Sequence, residues 1–339
     1  NTRLFLFGDM RNKKIINFMF PNETIEIIHI ERKFPFKDVF LFSFLSILFS
    51  IHYLFSNYCS KYHFKLNFKI AYVYGILKVI NPKVIISFDG LDTPIFGILA
   101  NYIKSTKFIG MYPYQMRKVV RDNTVPSPAH YHVFGLYDKE NMVSLGQHDS
   151  KISISGSLNA SVFYSLFYKN LYKTKTKYDI CIISTVLFKE DTSLEKNENA
   201  ILLCLGEYVV NNPDIKICIA LRPHSVGNEQ KGLMREKKFY LDKLPDKNIE
   251  FIESDVDNFS TYKASTLSRV TIQQLSNVGY EVMGWGGRVL FCQPYDFRIR
   301  VPSDLYYSIT ENDSDKFRKY LDELLSISDD LYMKNIKSN

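Results

Sequence analysis

An α/β fold in two domains is what this chain predicts, and three observations carry that expectation. Short apolar runs rich in Val, Ile and Phe recur from Arg3–Phe7 through Lys83–Ser87 and Tyr178–Ser184 to Arg288–Pro294. Segments of helical pattern alternate with them, as expected when helices cover a mostly parallel sheet. The 339 residues exceed the usual size of one domain, so each half is expected to bury a core of its own.

Taken in order, Arg3–Phe7 reads as a first strand entering a loop at Gly8 and Asp9, and Thr24–Ile30 as a second. The opening is Rossmann-like, but the Gly8 loop lacks the full Gly-x-Gly-x-x-Gly pattern of a dinucleotide site. Val39–Phe55 is seventeen residues without Asp, Glu, Lys or Arg. It is short for a membrane span, and Ser43, Ser46 and Ser50 form a narrow seam, so a core helix or a membrane-surface helix fits it better. A helix over Leu66–Ile80 ends at Asn81-Pro82. The strand Lys83–Ser87 then delivers Asp89 and Asp92 to its carboxyl end, where open α/β sheets place ligands. Those two carboxylates read either as turn formers or as a catalytic base and its neighbour.

Phe108–Tyr112 is the next strand. The loop after it carries Tyr114, Arg117 and Lys118, read as a solvated basic loop or as an acceptor or phosphate clamp. Strands at Tyr131–Phe134 and Lys151–Ser155 complete an N-terminal domain, residues 1–156. Residues 157–177 form a connector with a helix over Ser161–Tyr172. The second domain, 178–310, opens with Tyr178–Ser184, continues through a helix at Glu198–Asn211, and reaches a strand at Ile215–Leu221. That strand presents Arg222, His224 and Ser225, which are structural groups or ligands for a phosphate or sugar. Residues 311–339 are expected to form a C-terminal helix, at Asp315–Ser326.

The most informative stretch is Ser268–Gly287. It reads as a strand ending near Gln273, a polar turn at Ser276 and Asn277, and a helix through Met283. Unpaired N–H groups at a helix start attract anions, so a phosphate at Ser276–Gly279 is one reading, and an ordinary capped helix is the other. Glu281, one turn on, is placed to accept hydrogen bonds from ribose hydroxyls.

A hydrophobic content of 46% argues against disorder. The net charge of +7 is uneven, with 19 Lys and Arg against 11 Asp and Glu in residues 1–160, and 24 against 25 thereafter. The basic half suits an anionic partner such as a phospholipid surface or an acidic glycan. There is no finger spacing and no stacked-aromatic RNA motif, which argues against nucleic acid. Cys59, Cys181, Cys204, Cys218 and Cys292 are scattered and read as reduced core residues, and no clustered His suggests a metal. No signal peptide is visible, and a cytoplasmic protein is expected, one that can sit peripherally at the inner face of the membrane.

Pro82–Ser87, Phe108–Met111, Leu205–Asp214 with Ile217–Ala220, and Asn277–Glu281 with Arg288 together resemble a bacterial surface-carbohydrate family. This is the GT-B glycosyltransferase group allied to the capsule Kdo and nonulosonate transferases. The resemblance implies two Rossmann-like domains facing across a cleft, an acceptor in the first and a nucleotide-sugar donor in the second, CMP-linked in preference to UDP-linked. It implies donor contacts at Arg222, Ser225, Ser276, Asn277, Gly279 and Glu281, with Asp89, Asp92 and His224 as catalytic groups. Pro223 precedes His224 here, whereas those enzymes carry His followed by Pro. No cofactor is implied beyond the sugar nucleotide as substrate, and the acceptor would be a glycan or a lipid-linked sugar. A sugar-nucleotide epimerase is the alternative enzyme on such a scaffold, and a noncatalytic scaffold protein of an envelope-polysaccharide complex is the third reading.

Overall fold

A computed structural model of the chain describes residues 4–7, 17–19, 21, 25–28, 43–49, 64–87, 95–112, 125–171, 174–185, 192–223, 229–244, 248–255, 258–274, 276–295 and 307–337. The chain divides into two compact units, Asn1–Val162 and Phe163–Asn339. Each is organised on a parallel sheet, so the α/β class expected from the sequence is the class observed.

In the first unit the strands are β1 (Leu4–Phe7), β2 (Ile25–Ile28), β3 (Val84–Ser87), β4 (Lys107–Met111), β5 (His130–Val133) and β6 (Ile152–Ile154). Their spatial order is β2-β1-β3-β4-β5-β6, with every neighbouring pair parallel. Helices α1 (Phe64–Ile80), α2 (Ile95–Tyr102) and α3 (Leu136–Ser144) accompany them. Ile70, Val73 and Leu77 of α1, at helical spacing, pack with Phe96 and Leu99 of α2 and with Phe108, Tyr131 and Val133 of the sheet. Asn81 closes α1 in the left-handed region, φ 46°, where Asn is better tolerated than most residues, and its N–H donates to the Leu77 carbonyl at 2.8 Å. Pro82 then prevents the helix from continuing.

Of the Val39–Phe55 run, residues 43–49 are described, and they are helical. Phe49 is buried and stacks on Tyr74 with ring centroids 4.0 Å apart, whereas Phe44, Ile47 and Leu48 are exposed. Ser46 is buried and Ser43 is exposed, so those two serines do not share one environment. Among the described residues no helix is long and apolar enough to cross a membrane.

Helix α4 (Leu158–Phe163) leads through a π-helical turn, Tyr164–Tyr168, into the second unit. There the strands are β7 (Tyr178–Ile183), β8 (Ile217–Ala220), β9 (Ile249–Ile252), β10 (Ser268–Gln273), β11 (Arg288–Cys292) and β12 (Ser308–Ile309). The order is β9-β8-β7-β10-β11-β12, all parallel. It is the doubly wound arrangement in which the direction of winding reverses between β7 and β10. Helices α5 (Thr192–Asn211), α6 (Glu229–Leu241), α7 (Ser260–Thr266), α8 (Asn277–Gly284), α9 (Ser314–Ser326) and α10 (Asp329–Lys337) complete the unit.

Asp313 caps α9 by accepting from the Lys316 N–H at 2.9 Å, and the helix buries Phe317, Leu321, Leu324 and Leu325 as one stripe. A second helix follows it, contrary to the expectation of a single terminal one: the chain turns extended at Ile327 (ψ 145°) and re-enters α10, whose Tyr332 joins the same core. Helices α3, α6 and α7 were likewise not anticipated. Their inward faces rest on few large side chains, Met142 in α3, Phe239 and Tyr240 in α6 and Tyr262 in α7, set among charged or hydroxylated residues that blur an apolar period.

Candidate functional site

In a doubly wound sheet the crevice for a ligand lies at the carboxyl ends of the strands flanking the reversal, here β7 and β10. Beyond β10 the chain enters α8, and its entry is fixed by two local bonds. Ser276 stands in extended conformation as the N-cap and its Oγ accepts from the Val278 N–H at 3.2 Å. The Ser276 N–H in turn donates to Gln273 Oε1 at 2.7 Å. Gly279 is buried, and a Cβ there would stand 2.5 Å from Gln273 Cγ, so glycine lets the first turn of the helix close onto that side chain. Gln273 itself is 1% exposed, and its Nε2 has no hydrogen-bond partner among the described residues. A helix start, with the positive end of its dipole, therefore meets a buried amide donor with capacity to spare, a combination suited to an anion.

Glu281 lies one turn further and is buried, its Oε2 accepting from Tyr262 Oη at 2.7 Å. Burial, and then the neighbouring Glu281 carboxylate, push the Tyr262 phenol well above its ordinary range, so it stays a donor. Tyr262 sits among Phe163, Phe259 and Trp285, with centroids 5.2–5.9 Å away. Phe259 begins α7 in the left-handed region (φ 53°, ψ 44°), a strained place for an aromatic residue. Asp255 and Ser260 bracket it with paired bonds, Ser260 N–H to the Asp255 carbonyl at 3.1 Å and Asp255 N–H to Ser260 Oγ at 2.8 Å.

A belt of polar side chains runs across the carboxyl ends of four adjacent strands. After β8, the Arg222 N–H donates to Glu236 Oε1 at 3.3 Å, and after β7 the Ser184 hydroxyl donates to the same oxygen. Thr185 Oγ1 donates to Glu198 Oε2 at 3.2 Å, as does Gln274 Nε2 from the end of β10, while Tyr240 Oη donates to Glu198 Oε1. Gln293, after β11, donates through Nε2 to the Gln274 carbonyl. Glu198 and Glu236 are essentially inaccessible to solvent. Burial pushes the Glu198 carboxyl up to about 7, against the pull of its three donors. Asn197, fully buried beside it, accepts from the Tyr295 N–H at 2.7 Å through Oδ1, and its Nδ2 has no partner among the described residues.

Of the residues singled out from the sequence, the structure brings Ser276, Asn277, Gly279 and Glu281 together on α8 and puts Arg222 at the end of β8. Arg222 is half-buried, and desolvation lowers the pKa of its guanidinium, an effect Glu236 opposes. Asp89, Asp92, Tyr114, Arg117, Lys118, His224 and Ser225 lie outside the described residues. Sequence reasoning missed Gln273, Glu198, Glu236, Tyr240 and Tyr262. Only Gln273, at the end of a recognised strand, carried a local signal.

No protein-family model matches the chain, and a search of the curated proteins finds no match. Solved structures do share its fold. The UDP-GlcNAc 2-epimerase from Methanocaldococcus jannaschii matches with a TM-score of 0.56 at 12% identity, over 96% of this chain and 93% of that one. The UDP-GlcNAc 2-epimerase from Neisseria meningitidis bound to UDP-GlcNAc matches at 0.54 and 11% identity, over 99% of this chain and all of that one. An MnaA–UDP structure from S. aureus matches at 0.57 and 9% identity, over 100% and 92%. At such identities the likeness is one of fold, and the chain has the GT-B-like architecture of two parallel-sheet α/β domains.

Proposed function

We propose that this chain is a sugar-nucleotide enzyme that binds a UDP-linked sugar at the second unit and epimerises it. The observation that carries this reading is the capped start of α8 at the winding reversal, where Ser276, Asn277 and Gly279 meet the spare donor of Gln273. A diphosphate would rest there, Arg222 would add positive charge, and Glu281 would stand near the ribose. The epimerase reading, the alternative at the outset, takes precedence over glycosyl transfer because the solved structures of like fold named above include UDP-GlcNAc 2-epimerases. The same neighbours support UDP in place of the CMP suggested by the family resemblance. Asp89, Asp92 and His224 remain the candidates for acid–base work on the sugar.

Transfer to a glycan or lipid-linked acceptor is the second reading, with Tyr114, Arg117 and Lys118 on the acceptor. It is favoured by the basic excess of the first half and by the outward Phe44, Ile47 and Leu48, which suit an anionic membrane surface. One experiment separates the two. The protein is screened by thermal shift against UDP, CMP, GDP and dTDP, then incubated with UDP-GlcNAc alone and followed by NMR. Stabilisation by UDP and appearance of the C2 epimer without any acceptor is the expected result. Consumption only when an acceptor is added would favour transfer, and indifference to all four nucleotides would remove both readings.

A further inference from the structure

We propose that Glu198 and Glu236 are positioning residues, which fix the ends of β7, β8, β10 and β11 against one another so that the nucleotide phosphates meet a preformed edge. This inference rests on the sugar-nucleotide reading above. The belt follows the spatial order of the strands, β8-β7-β10-β11, and its links join Arg222, Glu236 and Ser184 on one side to Thr185, Glu198, Gln274 and Gln293 on the other. Its carboxylate acceptors come from α5 and α6, so the two helices are tied to the strand ends.

Three features argue that the belt serves the edge and not merely the fold. Below it the same strands bury Ile180, Ile182, Ile219, Ile272 and Leu290, so the core has no need of carboxylates. Buried carboxylates are costly, and well-packed apolar groups in their place are commonly as stable or more so. Finally, the flanking Asn197 Nδ2 and Gln273 Nε2 are buried donors without partners among the described residues, at the edge where an acceptor-rich ligand would arrive. Such a network holds one geometry when its acceptors are in place and loses it when one is removed.

The test uses the full-length protein and UDP as the probe. Dissociation constants and melting temperatures are measured for wild type, Glu198→Gln, Glu198→Ala, Glu236→Gln and, as a control, Tyr208→Phe. The control removes the bond from Tyr208 Oη to Asp322 Oδ1 (2.6 Å), which joins α5 to α9 outside the belt. Expected are a loss of UDP affinity of about 10- to 100-fold in Glu198→Ala, a smaller loss in Glu198→Gln, which keeps one acceptor, and a loss in Glu236→Gln. Tyr208→Phe should lose melting temperature with affinity unchanged. Wild-type affinity in folded Glu198→Gln and Glu236→Gln would overturn the inference while leaving the sugar-nucleotide reading intact. No UDP binding by wild type would instead strike the reading on which it rests.

Discussion

The two sheets are built alike and gather opposite charges. On β4–β6 and the turn before β6, the first unit collects Lys107, His130, His132 and Lys151, with Lys151 Nζ 3.3 Å from His130 Nε2. At its strand ends the second unit collects Glu198 and Glu236. Surroundings push His130, His132 and Glu198 toward neutrality. Desolvation and then neighbouring lysines lower the pKa of His130 and His132, and desolvation raises that of Glu198 to about 7. An ionisable side chain buried in or against a parallel sheet therefore contributes to stability conditionally, in a pH direction set by its sign.

For Glu198 the folded pKa lies above the ordinary 4.5, so its contribution is complete below pH 4.5 and is lost as pH rises through about 7. For the histidines the folded pKa lies below 6.5, so their contribution is present above 6.5 and is lost as pH falls through the lowered value. The largest expected effect comes from Glu198→Ala. It strands the Tyr240, Gln274 and Thr185 donors and should cost roughly 3–5 kcal/mol at pH 5.5 by urea denaturation. A loss under 1 kcal/mol would mean that the belt is not a network.

Glu198→Gln should next abolish the decline in stability between pH 4.5 and 7, an effect on the order of 3 kcal/mol in wild type. A decline that persists in the variant would assign it to another group. Gly279→Ala drives a methyl into Gln273 and should cost about 1–3 kcal/mol. Ser276→Ala removes a cap and should cost about 0.5–2 kcal/mol. The smallest change is expected from the double variant His130→Gln, His132→Gln, whose acid limb should be shallower than that of wild type in thermal melts from pH 7 to 5. An unchanged limb would detach the basic face from the comparison.

Much of the fold was legible because its strands are local facts. Runs such as Ile180–Ile183 and Ile217–Ala220 are apolar on both faces and short, as a sheet buried on both sides requires. The α8 start was legible too, since Ser276 acts on Val278 two residues away. The belt was not. Glu198 bonds Thr185, Tyr240 and Gln274 at separations of 13, 42 and 76 residues, and in sequence it is one more acidic residue in a helix whose first half is rich in Glu and Asn. The meeting of Tyr262 with Glu281 was hidden for a related reason, because α7, a helix of Ser, Thr and Lys with a single buried ring, was itself not foreseen.

Titration calorimetry of UDP against uridine decides whether the start of α8 receives the phosphates of a nucleotide. Expected are saturable one-to-one binding of UDP, a much weaker response to uridine, and a loss of UDP affinity in Gly279→Ala protein that is still folded. Equal binding of UDP and uridine, unaltered by Gly279→Ala, would contradict that placement.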